Sequence, residues 1–159
     1  MGLRLPLLFD CQGLAHLRVF QEHGGTSSTT GKLLGASIQH LKVKVGTGGP
    51  LFQTDFSIFG PLATPSWVSH LWQYLWMKKV GIKESTPLLE LQREGNMFLM
   101  QHFAMTGTQG AELEKVNRCW LYLQVMSLAN ISSGDGHLIL EDAWKGVLAM
   151  FWPAYYMWP

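Results

Sequence analysis

The stretch that decides the fold is residues 108–136, TQGAELEKVNRCWLYLQVMSLANISSGDG. Apolar residues recur in it at steps of three and four, which is the spacing of one helix face. The face comprises Leu113, Val116, Trp120, Leu123 and Ser127, widened by Leu121, Val125 and Leu128. The pattern predicts one long core helix, which begins after an N-cap at Thr108 and is closed by Asn130 in a left-handed conformation.

Two helices are predicted before residue 50. In residues 11–22 the apolar positions follow helical steps, and the pattern stops at His23 and two glycines. The residues expected on the inner side are Cys11, Leu14, Ala15, Leu17 and Phe20. Residues 32–45 carry a second apolar face, which we expect to pack against the first helix. Its members are Leu33, Leu34, Ser37, Ile38, Leu41 and Val45.

Two further helices follow residues 51–59, which we interpret as an extended or short strand-like piece. The third helix is expected to start with Thr64 as its cap and Pro65 in its first position, and it is aromatic around most of its circumference. The fourth is predicted over residues 88–103, with a start near Glu94 because Gly95 weakens its middle by about 1 kcal/mol. Its expected inward residues are Leu91, Phe98, Met100 and Phe103.

The predicted fold class is mainly α, with four or five packed helices and a short hairpin between Ser133 and Leu140. A chain of 159 residues suits one domain. We assign residues 1–146 to a single helical domain or fragment. Residues 147–159 carry no charge and five aromatic side chains, and Pro153 interrupts any helix there. We therefore predict a disordered aromatic tail.

Composition argues against a dedicated nucleic-acid binder. Only 14% of the residues are charged, and the net charge is +1, with 12 basic against 11 acidic side chains. Proteins that bind nucleic acid normally show a basic patch or stripe. The nearest approach to a cluster is formed by Lys42, Lys44, Lys78 and Lys79. We expect at most weak, salt-sensitive contact of these four lysines with nucleic acid.

The sequence patterns that carry catalytic or metal chemistry are missing. The six histidines show no H-x-x-x-H or H-E-x-x-H spacing, and we interpret each as a surface or hydrogen-bonded histidine. Residues 46–49 are glycine-rich but lack the ending of a P-loop, so a plain loop is predicted. Asp135, Glu141 and Asp142 suit turns and caps, and no serine has a G-x-S-x-G setting. We predict no catalytic residue, no metal, no cofactor and no enzyme activity.

The cysteines and the hydropathy indicate the compartment. Cys11 and Cys119 are too far apart for a metal knuckle and form no C-x-x-C motif, so two buried free thiols are predicted. No window approaches 18 uninterrupted apolar residues, so no membrane partner is expected. The protein is predicted to be intracellular, and the sequence does not distinguish cytoplasm from nucleus.

Several segments resemble the region that follows the polymerase core in reverse-transcriptase-like open reading frames of eukaryotic, notably algal, mobile elements. The resemblance spans about residues 1–146. The segments that carry it are MGL (1–3), QGLAHL (12–17), TGKLL (30–34), WVSHLW (67–72), LQRE (91–94), FLM (98–100), NRCWLYLQV (117–125), LANISSGDG (128–136) and DAW (142–144).

The resemblance implies that Met1 lies close to where the palm and thumb of a full reverse transcriptase would end. Such enzymes hold two metal ions with carboxylates, typically in a Tyr-x-Asp-Asp turn. This chain has no Asp-Asp pair, so the polymerase activity does not carry over. The pattern dissolves over residues 147–159, as expected of a truncated or frame-disturbed copy.

Two functions from different classes follow. The first is a non-catalytic fragment of a mobile-element protein, which in its parent would help to position nucleic acid or neighbouring domains. The second is a small helical protein-interaction module that uses its aromatic surface on a protein partner.

Overall fold

The structure is a computed structural model that describes residues 7–84, 91 and 93–140. Within these residues it contains seven α-helices, two of them single turns, and no strand, which confirms a mainly α fold. The helices are α1 (Leu8–His23), α2 (Thr29–Val45), α3 (Phe56–Phe59), α4 (Trp67–Lys78), α5 (Leu99–Met105), α6 (Gly110–Leu123) and α7 (Leu128–Ile131). The predicted aromatic tail, residues 147–159, lies outside the described residues.

The chain divides into two compact units. The first takes its described residues from Met1–Val43 and Gly49–Leu88, and the second from Lys44–Gly48 and Leu89–Pro159. The second unit is therefore built from two separate stretches of chain. The assignment of residues 1–146 to a single domain stays a prediction.

In the first unit, α1 packs against α4. The buried residues of α1 are Gly13, which lies against Tyr74 of α4, and Phe20, which meets the Phe52 ring edge-on, whereas Cys11, Leu14 and Ala15 are exposed. The predicted inner side of this helix was thus wrong for three of its five residues. The reason is Gly13, whose missing side chain lets the Tyr74 ring come close to the α1 backbone. A prediction from the spacing of apolar side chains does not take such a glycine into account.

Aromatic contacts centred on Trp72 organise the core of the first unit. Trp72 is fully buried, its indole N–H donates to the Thr54 carbonyl at 2.9 Å, and its ring meets Phe56 edge-on at 5.0 Å. Residues 51–59, predicted to be extended, instead form a 3-10 turn (Leu51–Gln53) and α3. Asp55 starts α3 because its Oδ1 accepts from the Ser57 N–H at 2.8 Å. A second 3-10 turn, Gly60–Leu62, leads towards α4.

Helix α4 begins two residues later than the sequence pattern indicated. Ser66, rather than Thr64, is the cap, and Pro65 lies before the helix. The Ser66 hydroxyl accepts from the Ser69 N–H at 3.2 Å, and the Ser69 hydroxyl accepts from the Ser66 N–H at 2.7 Å. This reciprocal pair satisfies two N–H groups that a helix start otherwise leaves unpaired.

In the second unit, the predicted long helix is broken into two. Helix α6 starts at Gly110 after Gln109, rather than after Thr108, and ends where Gln124 adopts a left-handed backbone with φ of 57°. The chain then pairs with residues 97–99: Leu99 N–H donates to Met126 O at 3.0 Å and Leu128 N–H to Met97 O at 2.9 Å. This pairing competes with the helix and ends it.

Asn130 has a different role from the predicted one. It does not adopt a left-handed conformation, and its side-chain oxygen accepts from the Ser127 N–H at 2.9 Å to cap α7. The fourth predicted helix also starts later, at Leu99 instead of near Glu94, because Gly95 has φ of 72° and forms a turn.

The predicted hairpin between Ser133 and Leu140 appears as a single antiparallel bridge, Ser132 with Ile139, without regular strands. Ser133 N–H donates to Leu138 O at 2.7 Å, and Leu140 N–H donates to Ile131 O at 2.8 Å. Arg93 holds the turn through a 2.9 Å bond from its guanidinium to Ser133 O.

Candidate functional site

The first unit contains a groove of about 400 Å³ lined by residues of α1 and α2 and by Trp67 of α4. We call it the α1–α2 groove. Its lining residues are His16, Val19, Thr30, Leu33, Leu34, Ser37 and Trp67. None of these side chains carries a formal charge at neutral pH when His16 is neutral, so the groove suits an uncharged apolar group.

Helical spacing explains how both walls of the groove arise. On α2 the lining residues occupy positions i, i+3, i+4 and i+7 from Thr30, which is one face of a helix. On α1, His16 and Val19 are three residues apart and also share a face. The sequence pattern predicted this face of α2 but assigned it to packing against α1. The structure instead leaves Leu33 64% exposed, so the groove is open to solvent along α2.

A second, smaller recess of about 100 Å³ lies between α1 and α4. We call it the histidine recess. It is lined by Phe9, Gln12, Gly13, His16, His70 and Gln73. His16 therefore lies between the two cavities and contributes to both.

The His16 imidazole has three aromatic or polar features that set its chemistry. Its ring lies nearly parallel to that of His70, with an interplanar angle of 10° and centroids 6.4 Å apart, and meets Trp67 edge-on at 5.7 Å. Its Nδ1 is shielded from solvent and has no hydrogen-bond partner among the described residues. Burial, and secondarily the charge of His70, lower the pKa of His16 below its ordinary value. The neutral imidazole is therefore favoured.

The four lysines predicted to contact nucleic acid have different surroundings. Lys42 is 2% exposed and forms an ion pair with the equally buried Glu84. Lys78 pairs with Asp10 at 2.7 Å, and the hydrogen bond with this carboxylate raises the pKa of Lys78. Lys44 is half-buried and Lys79 is exposed. Lys42 is therefore not a surface cation in this structure, and contact of the other three with nucleic acid stays a prediction.

The glycine-rich loop at residues 46–49 is closely packed. A side chain on Gly48 would overlap the Phe98 ring at 1.7 Å, and one on Gly46 would lie 2.2 Å from Met100. Thr47 between them is fully buried and accepts a 3.3 Å hydrogen bond from the Gln101 amide. These glycines thus admit neighbouring side chains, whereas in a phosphate cradle they would leave backbone N–H groups facing a ligand.

The two cysteines lie in different surroundings. Burial raises the pKa of the Cys119 thiol, which keeps it neutral and unreactive. Cys11 is free and exposed, so the prediction that both thiols are buried was wrong for this one. Across the described ranges, no three His, Cys, Asp or Glu side chains come together as a metal-holding group.

No family model, curated protein or solved structure matches the chain. The resemblance to mobile-element proteins thus stays a prediction from the sequence. None of the helices in the described part of the chain has the length and apolar character needed to cross a membrane.

Sequence reasoning missed both cavities. From the sequence, His16 was interpreted as an ordinary surface or hydrogen-bonded histidine, and Leu33 as a core residue. The signal that pointed to the groove is the width of the apolar face of α2, which continues beyond the buried Leu34, Ile38 and Leu41 to Leu33.

Proposed function

We propose that the chain is a non-catalytic helical interaction module whose α1–α2 groove takes the apolar face of a helix from a protein partner. The observation that carries this proposal is the exposed Leu33 on a groove wall with helical spacing. Grooves between two helices bind amphipathic helices through apolar anchors at positions i, i+3 or i+4, and i+7.

The polarity of the lining residues determines which side chains the groove can bind. Val19, Leu33, Leu34 and Trp67 provide apolar contact, and only Thr30, Ser37 and His16 offer polar atoms. The Ser37 hydroxyl already donates to the Leu33 carbonyl at 2.8 Å. An uncharged apolar side chain is therefore accommodated at no electrostatic cost, whereas a charged one would lose its hydration without finding a counter-charge.

Selection from a library of amphipathic helical peptides, followed by measurement of Kd, tests the proposal. We expect Leu33→Asp to weaken the selected peptides by about 30-fold, equivalent to about 2 kcal/mol, the scale of an interface hot spot. Leu14→Asp is the matched control, because Leu14 is 57% exposed on α1 and does not line the groove. Peptides that lose equal affinity with both variants, or with neither, would contradict the proposal.

The mobile-element origin is a second proposal, supported by the sequence segments that carry the resemblance. As a fragment of such a protein, the chain would have no polymerase site of its own. The genomic DNA around its gene tests the idea: an upstream reverse-transcriptase frame interrupted by a stop or frameshift supports a fragment, whereas an isolated expressed gene with introns supports a free-standing module.

A further inference from the structure

The antiparallel bridge between Ser132 and Ile139 leaves one of its sides open to solvent. Its outer segment consists of Leu138, Ile139 and Leu140, whose exposed fractions are 67%, 70% and 45%. We call this segment the 138–140 edge. Three consecutive apolar side chains are rarely left in water unless they have a function. Such a row indicates a surface that another chain covers.

The backbone of the 138–140 edge has hydrogen-bonding groups that point outward. Leu140 N–H and Leu138 O point inward, because they bond to the facing segment at 2.8 and 2.7 Å. In an antiparallel pair, successive residues direct these groups to opposite sides. The N–H and C=O of Ile139 therefore point away from the facing segment, and neither forms a hydrogen bond within the described part of the chain. Unpaired groups at such an edge are a template for pairing with another extended chain.

The sequence around Ile139 is complementary to itself in the antiparallel direction. When Ile139 of one copy lies opposite Ile139 of a second, Leu138 of each copy lies opposite Leu140 of the other. The outward groups of the two isoleucines then form two hydrogen bonds, and the leucines take the non-hydrogen-bonded positions, where side chains are closer. All four leucines lie on one face of the pair, because side chains alternate along an extended chain.

The flanking residues favour the same register. It brings His137 of each copy opposite Glu141 of the other, and an imidazole N–H can donate to a carboxylate in either protonation state. A shift by two residues also pairs outward backbone groups, but it places a leucine opposite Gly136 or Asp142. Only the register centred on Ile139 therefore matches apolar with apolar and donor with acceptor.

We propose that the 138–140 edge is a homodimerisation surface, on which a second copy of this chain pairs antiparallel about a two-fold axis at Ile139. A two-fold contact uses the same patch on both copies, so it occupies both edges and leaves none free. The other side of the bridge is half-buried at Ser132, whose hydroxyl donates to Leu128 O at 2.8 Å and accepts from Arg93 at 3.3 Å. Association therefore ends at two copies.

Sedimentation velocity of the full chain over a concentration series tests the dimer. A contact of a few residues belongs to the weak, transient class, so the dimer fraction should rise with concentration. Ile139→Pro removes the outward N–H and leaves the internal hydrogen bonds of Leu138 and Leu140 in place. It removes one hydrogen bond on each side of the axis, so the Kd of the dimer should rise about 5- to 150-fold.

A charged side chain at the axis gives a second variant with a matched control. Ile139→Lys places two lysines opposite each other and should also weaken the dimer. Met105→Lys is the control, because Met105 is 75% exposed on α5 and lies outside the 138–140 edge. A chain that stays monomeric at all concentrations, or a dimer that Met105→Lys weakens as much as Ile139→Lys, would overturn the proposal. Growth beyond dimers would overturn it as well.

The flanking pair tests the register. Glu141→Lys removes two cross-chain pairs and should raise the Kd of the dimer about 2- to 30-fold. Adding His137→Glu to that variant reverses the two charges and should restore association. Failure of the double variant to restore it would overturn pairing about Ile139. Leu33→Asp, in the α1–α2 groove, should leave the dimer unchanged, and its loss in that variant would assign association to the groove instead of the 138–140 edge.

Discussion

The ring of Tyr74 occupies the space that a side chain on Gly13 would fill. A Cβ built on Gly13 lies 2.1 Å from Cδ2 of that ring and 2.6 Å from Cε2, far inside van der Waals contact. The same ring contacts Phe9 at a centroid distance of 5.8 Å. The contact between α1 and α4, and with it the histidine recess, therefore depends on a glycine in the middle of a helix.

Gly13→Ala should destabilise the protein by about 1–3 kcal/mol, the usual cost of overpacking, although alanine is the better helix former. The matched control is Gly35→Ala in α2, where a Cβ meets nothing within 4 Å. That substitution should stabilise the protein by about 0.5–1 kcal/mol. Urea unfolding measures both, and a stabilising Gly13→Ala would contradict the structure.

The buried ion pair of Lys42 and Glu84 gives a second prediction. Both side chains are 2% exposed, and neither charged group has a hydrogen-bond partner outside the pair among the described residues. Lys42→Met should therefore cost about 3–5 kcal/mol, because it leaves an unpaired buried carboxylate.

Replacing both members of the pair, as Lys42→Met with Glu84→Leu, should recover most of that loss. Guanidinium unfolding of the two single variants and the double variant measures the coupling. Additive losses would show that the two groups do not interact. Lys42 is also one of the four lysines predicted to contact nucleic acid. Replacing all four by alanine would therefore reduce the folding stability as well as remove any contact with nucleic acid.

A third prediction concerns pH. The pKa of His16 is lower in the folded protein than in the unfolded chain, so the unfolded chain binds more protons below about pH 6.5. The stability contributed by neutral His16 is therefore fully present above about pH 6.5 and is lost as the pH falls towards the folded pKa. Thermal unfolding from pH 8 to 5 should show this loss, and His16→Gln should flatten it. An unchanged pH profile in that variant would assign the effect to other groups.

A fourth prediction tests the end of α4. Lys79 adopts a left-handed backbone, with φ of 55°, after the last residue of the helix. Lys79→Gly should relieve this strain and stabilise the protein by about 0.5–1 kcal/mol. Met77→Gly, two residues earlier inside the same helix, should destabilise it by about 1 kcal/mol. Chemical unfolding curves that moved the same way for both variants would be inconsistent with this helix end.

The helices were predicted correctly where the apolar residues at helical spacing are also the residues that the structure buries. On α6, Leu113, Val116 and Trp120 are buried as the pattern predicted. The end of this helix was not predictable, because Gln124 is no stop signal. The helix stops there because the following residues pair with residues 97–99, a contact between distant parts of the sequence.

The cavities depend on relationships that local patterns do not contain. His16 and His70 come from α1 and α4, far apart in the sequence, and only the packing of these helices makes them neighbours. Leu33 has the same hydropathy as the buried Leu34, and the sequence does not distinguish a wall of a groove from a core position.

The second unit takes Lys44–Gly48 from early in the chain and the rest from beyond Leu88. These two parts are therefore synthesised at different times. Phe98, whose ring fills the space beside Gly48, follows that glycine by 50 residues. A ribosome adding about 5–20 residues per second leaves the loop without this partner for about 3–10 s. A nascent chain arrested between these residues would therefore present Gly46, Thr47 and Gly48 uncovered, as a place where chaperones or proteases can act before the second unit closes.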